Sequence, residues 1–184
     1  MHRSLGDFLT DLFQNSVEAE ASLIRVEVLQ EDFTLRLSVA DNGKGMTLEQ
    51  QRQAQDPFYT NGLKHPDRKV GLGLPLVIQT LEATGGKFSL NSRPGEGTEV
   101  SAVFNLKHWD TPPEGDWSVV FTQVMAWPGD HEVQLVRAWG QGKDHGYQVT
   151  RHELREALGP FEDVEALVLM KEYFRSQESM EDGK

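Results

Sequence analysis

Apolar residues recur at helical spacing near the start of the chain, and this period predicts an opening helix. The residues that follow it are Leu5, Phe8, Leu9, Leu12, Phe13, Ser16 and Val17. They fall on one face of a helix with 3.6 residues per turn. Ser4 directly precedes them and is the expected N-cap.

After this helix, apolar and polar residues alternate along the chain instead of following the helical period. The stretches "LIRVEVLQ" and "FTLRLSVA" predict an antiparallel pair with one buried face. "DNGKGM" ends the pair, because Gly43 and Gly45 free the backbone to turn. "TLEQQRQAQ" predicts a second helix and "GLGLPLVIQTLEATGG" a third, with the irregular "DPFYTNGLKHPDRKV" between them. A second hairpin is predicted for "KFSLNS", the turn "RPGEG" and "TEVSAVFNL".

This order of elements predicts an α+β fold in which helices cover one face of a mainly antiparallel mixed sheet. The glycines of "GLGLPL" do not form a dinucleotide fingerprint, because the third glycine is missing and no strand precedes them.

Residues 107–184 form a C-terminal extension with its own pattern of a helix, a hairpin and two more helices. "WSVVFTQVMAW" predicts the first helix, and "EVQLVRAWG" with "YQVTR" the hairpin. Thr150 and Glu153 predict a capping box, and a last helix is expected from about Val164 to Ser176. Four tryptophans either pack this extension onto the sheet or form a docking surface for a partner: Trp109, Trp117, Trp127 and Trp139.

Charge and composition exclude several classes of protein. The net charge is −11, with 10 Lys and Arg against 14 Asp and Glu in residues 1–106 and 8 against 15 in residues 107–184. A field of this sign repels nucleic acid and anionic lipid, so neither is an expected partner. The absence of cysteine excludes disulfides, thiolate metal sites and cysteine nucleophiles. No stretch approaches the roughly 18 to 20 apolar residues of a membrane span, and a cytoplasmic protein is expected.

Four motifs, in this order, resemble those of the GHKL superfamily of histidine-kinase-like ATPases. "DLFQNSVEAEAS" is similar to its N box, "DNGKGM" to its first glycine box, and "DPFYT" to the F box of histidine kinases. "GLGL" with the later "GEGT" is similar to its second glycine box and closing motif. The resemblance covers about residues 4–106. It implies a Bergerat-type two-layer sandwich that binds ATP in residues 1–106. The small α/β extension in 107–184 is not covered by the resemblance and is expected from its own pattern of elements.

The resemblance also implies roles for the two polar residues of the N box. Asn15 would supply its carbonyl oxygen to a Mg²⁺ that bridges the nucleotide phosphates. Asp11 occupies the position where hydrolytic members carry a glutamate that orients and deprotonates water. Its side chain is one methylene shorter, so slow hydrolysis is expected. The alternative for Asp11 is a solvated helix residue without a role.

Asp41 would recognise the base, because its carboxylate can accept a hydrogen bond from the adenine amino group. Gly43 and Gly45 would let the backbone pass close to the base, and Met46 would line the pocket. Thr98 matches the residue that, in the family, bonds this Asp or its bridging water. An ordinary Asn-Gly turn is the alternative for the glycines.

Residues 58–70 would form a lid over the triphosphate. Gly71 and Gly73 stand at a helix N-terminus, where backbone N–H groups can meet phosphate. The remaining candidates for nucleotide contact are Phe58, as a packing anchor, Lys64, Arg68, Lys69, Leu72 and Leu74. For each lid cation the alternative is a solvated loop residue.

Three functions fit these motifs, because kinases, hydrolases and ATP-gated clamps share the fold. The first is a stand-alone Mg-ATP-binding protein with slow ATPase activity, whose lid controls a protein partner. The second is a protein kinase of the anti-sigma or histidine-kinase type that acts on a separate partner. The third is a non-enzymatic ATP sensor. A complete two-component sensor is not expected, since no phosphoacceptor histidine on a long helix precedes the N box. A homodimer remains open, and the usual edge strand before the N box is not seen in the sequence.

Overall fold

A computed structural model describes residues 4–56 and 73–179 as a layer of helices on a six-stranded sheet. The helices are α1 (Leu5–Glu18), α2 (Leu48–Gln55), α3 (Gly73–Thr84), α4 (Trp117–Met125), α5 (Arg151–Leu158) and α6 (Val164–Glu178). The strands are β1 (Leu23–Glu31), β2 (Thr34–Asp41), β3 (Lys87–Arg93), β4 (Gly97–Asn105), β5 (Glu132–Trp139) and β6 (His145–Thr150). A short 3-10 turn at Gln141–Lys143 separates the last two strands.

The sheet is mixed, with the strand order β3-β4-β2-β1-β5-β6. Strand β1 pairs antiparallel with β2 and parallel with β5, and the other neighbouring strands are antiparallel. The predicted α+β class with a mainly antiparallel mixed sheet is therefore confirmed. None of the helices in the described part of the chain is both long and apolar enough to cross a membrane.

Helix α1 begins where the sequence predicts it. The Ser4 hydroxyl accepts from the backbone of Asp7, and the Asp7 carboxylate accepts from the backbone of Ser4 in return, a full capping box. The apolar face of α1 is buried against the sheet, and the rings of Phe8 and Phe104 meet edge to face at 6.1 Å. The polar side of this helix faces outward, and the polar residues of the N box lie on that side.

The C-terminal region adds strands to the same sheet. Residues Leu23–Leu29 of β1 pair in register with Glu132–Ala138 of β5, a parallel contact between segments that are far apart in sequence. The predicted hairpin and the Thr150–Glu153 capping box are present. The last helix runs two residues beyond the predicted end at Ser176. The predicted domain boundary lies directly after β4, between strands that share one sheet, and the division into two domains stays a prediction.

The four tryptophans of this region differ in their surroundings. Trp117 and Trp139 are buried, and Trp127 is half-buried against Phe13, with the ring centroids 5.9 Å apart. Trp109 is 96% exposed. The ring of Trp127 thus packs against α1, whereas Trp117 stacks on Phe121 and Trp139 meets Tyr147, both within the extension.

A buried arginine fixes the segment between α4 and β5. Arg151 is 6% exposed, and its guanidinium donates to four backbone carbonyls. Its Nε lies 2.9 Å from Met125 O, Nη2 lies 2.9 Å from Trp127 O, and Nη1 lies 2.8 Å from Gly129 O and 2.7 Å from His131 O. Because buried carbonyls without donors are costly, this side chain holds the whole turn in place.

Replacing Arg151 with lysine is expected to lower the free energy of unfolding by about 2–3 kcal/mol, since one ammonium group cannot reach all four carbonyls. Urea unfolding would measure the change. Arg155→Lys, on the exposed side of the same helix, is the matched control and should change stability by less than about 0.5 kcal/mol. Equal losses in the two variants would contradict the structural role of Arg151.

Candidate functional site

The candidate site is centred on Asp41, the last residue of β2, whose two carboxylate oxygens are both hydrogen-bonded. Oδ2 accepts from the Ser16 hydroxyl at 2.7 Å, and Oδ1 accepts from the backbone N–H of Gly43 at 2.8 Å. The side chain is half-buried. Because each carboxylate oxygen has two lone pairs, acceptor capacity remains for a ligand. The carboxylate is thus oriented before any ligand arrives.

Ser16 is a functional candidate that the sequence analysis did not single out. It belongs to the buried face of α1 and is 3% exposed. A hydroxyl in such a position needs a polar partner, and Asp41 supplies one. The signal in the sequence was a serine on an otherwise apolar face, directly after Asn15.

The turn after Asp41 runs against the end of α1. A Cβ atom at Gly43 would lie 2.6 Å from the carbonyl oxygen of Ala19, so only glycine fits there. The next residue, Lys44, donates its backbone N–H to the same oxygen at 2.9 Å. The first glycine box is therefore fastened to the N-box helix.

The same turn also meets the hairpin of β3 and β4. Gly45 has φ +63°, and a Cβ there would lie 1.9 Å from Arg93 O. Gly97 of the "GEGT" motif has φ +97°, and a Cβ there would lie 1.9 Å from Asp41 O. Both glycines allow backbones to approach more closely than a side chain permits.

Thr98 and Met46 lie within this junction. Thr98 is directly opposite Asp41 in the pairing of β2 with β4, and its Oγ1 is 2.8 Å from the hydroxyl of Ser92. The Ser92 hydroxyl in turn accepts from the backbone N–H of Met46 at 2.8 Å. The structure brings both residues to Asp41's end of the sheet. The hydrogen bond expected between Thr98 and Asp41, or a water bound to it, stays a prediction.

Asp11 and Asn15 are exposed on α1, one helical turn apart. Asn15 directly precedes Ser16, whose hydroxyl reaches Asp41, and its role as a metal ligand stays a prediction. Among residues 4–56 and 73–179, no group of three or more His, Asp or Glu side chains forms a ready metal site. A single Asn oxygen still suits Mg²⁺, which usually keeps several waters and binds through substrate phosphates.

The second glycine box is only partly within the described residues. Gly73 and Leu74 open α3, which packs against both α1 and β4. The remaining predicted contacts lie outside the described residues: Phe58, Lys64, Arg68, Lys69, Gly71 and Leu72. The described site therefore joins the N box, the first glycine box and Thr98 at one end of the sheet, and the place of the second glycine box in it stays a prediction.

Comparisons with known proteins identify the family of the chain. Residues 2–108 match the family model described as histidine kinase-, DNA gyrase B-, and HSP90-like ATPase. Sensor histidine kinase GacS of Pseudomonas protegens is 28% identical over 163 residues, which are 84% of this chain and 18% of GacS. Sensor histidine kinase AruS of Pseudomonas aeruginosa is 33% identical over 177 residues, which are 86% of this chain and 17% of AruS. The chain thus spans less than a fifth of either relative.

A solved structure supports the fold alone. The N-terminal domain of a DNA repair protein superposes with a TM-score of 0.50 at 13% sequence identity, covering 85% of this chain and 57% of that one. Since the family model matches more than half of the chain, the protein belongs to the family of histidine kinase-, DNA gyrase B- and HSP90-like ATPases.

Proposed function

We propose that the chain binds Mg-ATP at the Asp41 end of the sheet and hydrolyses it slowly or uses it to close a lid that controls a protein partner. The observation that carries this proposal is the Asp41 carboxylate, held on both oxygens by Ser16 and Gly43 within a junction of close backbones. Membership of an ATPase family supports the same conclusion. A cytoplasmic location, where ATP is available, is part of the proposal.

Adenine specificity follows from the chemistry of Asp41. An ionised carboxylate only accepts hydrogen bonds, and adenine offers an amino group where guanine has a carbonyl. A buried polar group left without its partner costs more than a missing apolar contact, so guanine is rejected. Ser16 and Gly43 keep the carboxylate from turning away.

The phosphates would extend from Asp41 toward α1 and the start of α3. In this proposal Asn15 ligates the Mg²⁺, and the backbone of Gly71 and Gly73 at the N-terminus of α3 receives phosphate oxygens. The bound Mg²⁺ would neutralise the phosphate charge. Lys64, Arg68 and Lys69 are proposed to contact the phosphates from the lid.

Asp11 would orient and deprotonate the attacking water. It stands one turn before Asn15 on the exposed side of α1, the side on which the metal would lie. An aspartate reaches about one ångström less far than a glutamate, and a displacement of that size can cost on the order of a hundredfold in rate. Slow turnover is therefore the expected behaviour.

A protein kinase is the second candidate, because GacS and AruS are both described as sensor histidine kinases. The nucleotide site would be the same, with a histidine or serine of a separate protein receiving the γ-phosphoryl group. A non-enzymatic ATP sensor is the third candidate, in which Asp11 has no chemical role.

Phosphate release from γ-labelled ATP would separate the hydrolase from the sensor. Asp11→Asn is expected to reduce release at least about tenfold without changing ATP affinity, because the amide cannot act as a base. Glu18→Gln, a carboxylate change on the same helix, is the control and should leave release unchanged. ATP that stays intact in the wild type would exclude hydrolysis, and label found on an added phosphoacceptor protein would favour the kinase.

Asp41→Asn is expected to weaken ATP binding by about tenfold to a hundredfold, because the amide nitrogen would face the adenine amino group. Fluorescence titration with a labelled ATP would measure this loss, and GTP should bind the wild type no better than it binds the variant.

Ser16→Ala is expected to weaken ATP binding by about fivefold to tenfold, since Asp41 loses the bond that orients it. Thr10→Ala is the control, because the Thr10 hydroxyl only donates to Gly6 O within the same helix. Binding unchanged by Ser16→Ala would show that Asp41 does not need this anchor.

A further inference from the structure

The Ser92 hydroxyl, near the end of β3, contacts three groups of the candidate site at once. It accepts from the backbone N–H of Met46 at 2.8 Å, donates to Gly97 O at 2.9 Å, and lies 2.8 Å from Oγ1 of Thr98. A hydroxyl has one proton and two lone pairs, so these three neighbours use its whole hydrogen-bonding capacity. A single side chain thus connects the first glycine box to the "GEGT" motif.

The segment that leads to Met46 runs alongside the β3–β4 hairpin. The backbone N–H of Gly95 donates to Lys44 O at 2.8 Å, and Gly45 faces Arg93 O so closely that a Cβ would lie 1.9 Å from it. The bond that the N–H of Met46 donates is the next contact along this line. Its acceptor is a side chain, so a substitution can remove this contact without changing the backbone.

A side chain of α2 holds the backbone of the same two residues. The Gln51 amide donates through Nε2 to Met46 O at 3.2 Å and to Ser92 O at 2.9 Å. An amide nitrogen carries two protons, so both bonds can form together. Met46 is therefore hydrogen-bonded at its N–H and at its carbonyl by side chains from two separate elements, and Ser92 is held where it reaches Thr98.

We propose that Ser92 is a positioning residue for base recognition that acts through Met46 and Thr98. This assignment rests on the proposed function, in which the adenine of ATP lies beside Asp41. Thr98 pairs with Asp41 across β2 and β4, so its hydroxyl belongs to the immediate surroundings of that carboxylate. Without the Ser92 hydroxyl, Thr98 loses a neighbour at 2.8 Å and the N–H of Met46 loses its acceptor.

The effect of Ser92 is expected to fall on the base and not on the phosphates. Its three contacts lie at the end of the sheet that carries Asp41, whereas the proposed metal ligand, Asn15, belongs to α1. Loss of the hydroxyl should therefore weaken ATP and ADP by the same factor. GTP should lose less, because its base does not pair with Asp41 in the wild type. A residue that only stabilised the fold would weaken all three nucleotides alike.

Competition of unlabelled nucleotides against a labelled ATP would test this assignment. Ser92→Ala is expected to weaken ATP and ADP about fivefold to tenfold and GTP less than about twofold. Ser92→Thr keeps the hydroxyl and should bind ATP within about twofold of the wild type. Ser89→Ala, at an exposed position of the same strand, is the matched control and should bind like the wild type. Equal losses of ATP and GTP in Ser92→Ala would overturn the assignment.

A double-mutant cycle tests the route through Thr98. Thr98→Val removes the hydroxyl and keeps the branched shape of the side chain. The combined loss of ATP affinity in Ser92→Ala/Thr98→Val should be smaller than the product of the two single losses by at least about threefold. Losses that simply multiply would contradict a route through Thr98. Urea unfolding would show that each variant is folded under the conditions of the titration.

The same titrations separate this assignment from the proposed function. ATP binding that needs Asp41 but is unchanged by Ser92→Ala would overturn the role of Ser92 and leave the nucleotide site standing. A wild type that binds no ATP would overturn both.

Discussion

Backbone segments at one end of this sheet approach more closely than any side chain would permit, and the candidate site depends on that constraint. Gly43 lies against the end of α1, Gly45 against the β3–β4 hairpin and Gly97 against the carbonyl of Asp41. Three motifs that are distant in sequence thereby become one structure. A methyl group at any of these points would push the segments apart and move the carboxylate that they surround.

The hydrogen bond from Ser16 to Asp41 joins the helix layer to the sheet layer. Successive residues of a helix point about 100° apart, so an inward Ser16 also sets the outward direction of Asn15. The rotation of α1 is fixed again by its apolar face, including Phe8, which is 1% exposed. Core packing and site geometry are consequently set by the same helix, and a change in one disturbs the other.

Local features of this fold could be read from the sequence, and contacts between distant segments could not. The Ser4 and Thr150 caps depend on residues three positions apart, and both formed as expected. The parallel pairing of β1 with β5 leaves no mark in either strand, because alternation fixes a face and not a neighbour. Ser16 was missed because its hydrogen-bond partner comes from a segment that is distant in sequence, the end of β2. The predictions for Asn15 and Asp41 could be made because their motifs are short and contiguous.

The parallel contact between β1 and β5 joins segments that are far apart in the chain. Leu23 pairs with Glu132, more than a hundred residues later, and closing so long a loop is slow. Without β5, β1 would be a sheet edge with unpaired backbone groups beside apolar residues such as Ile24, a surface that invites pairing with other chains. The C-terminal region therefore serves as an edge cover for β1 that is made by the same chain.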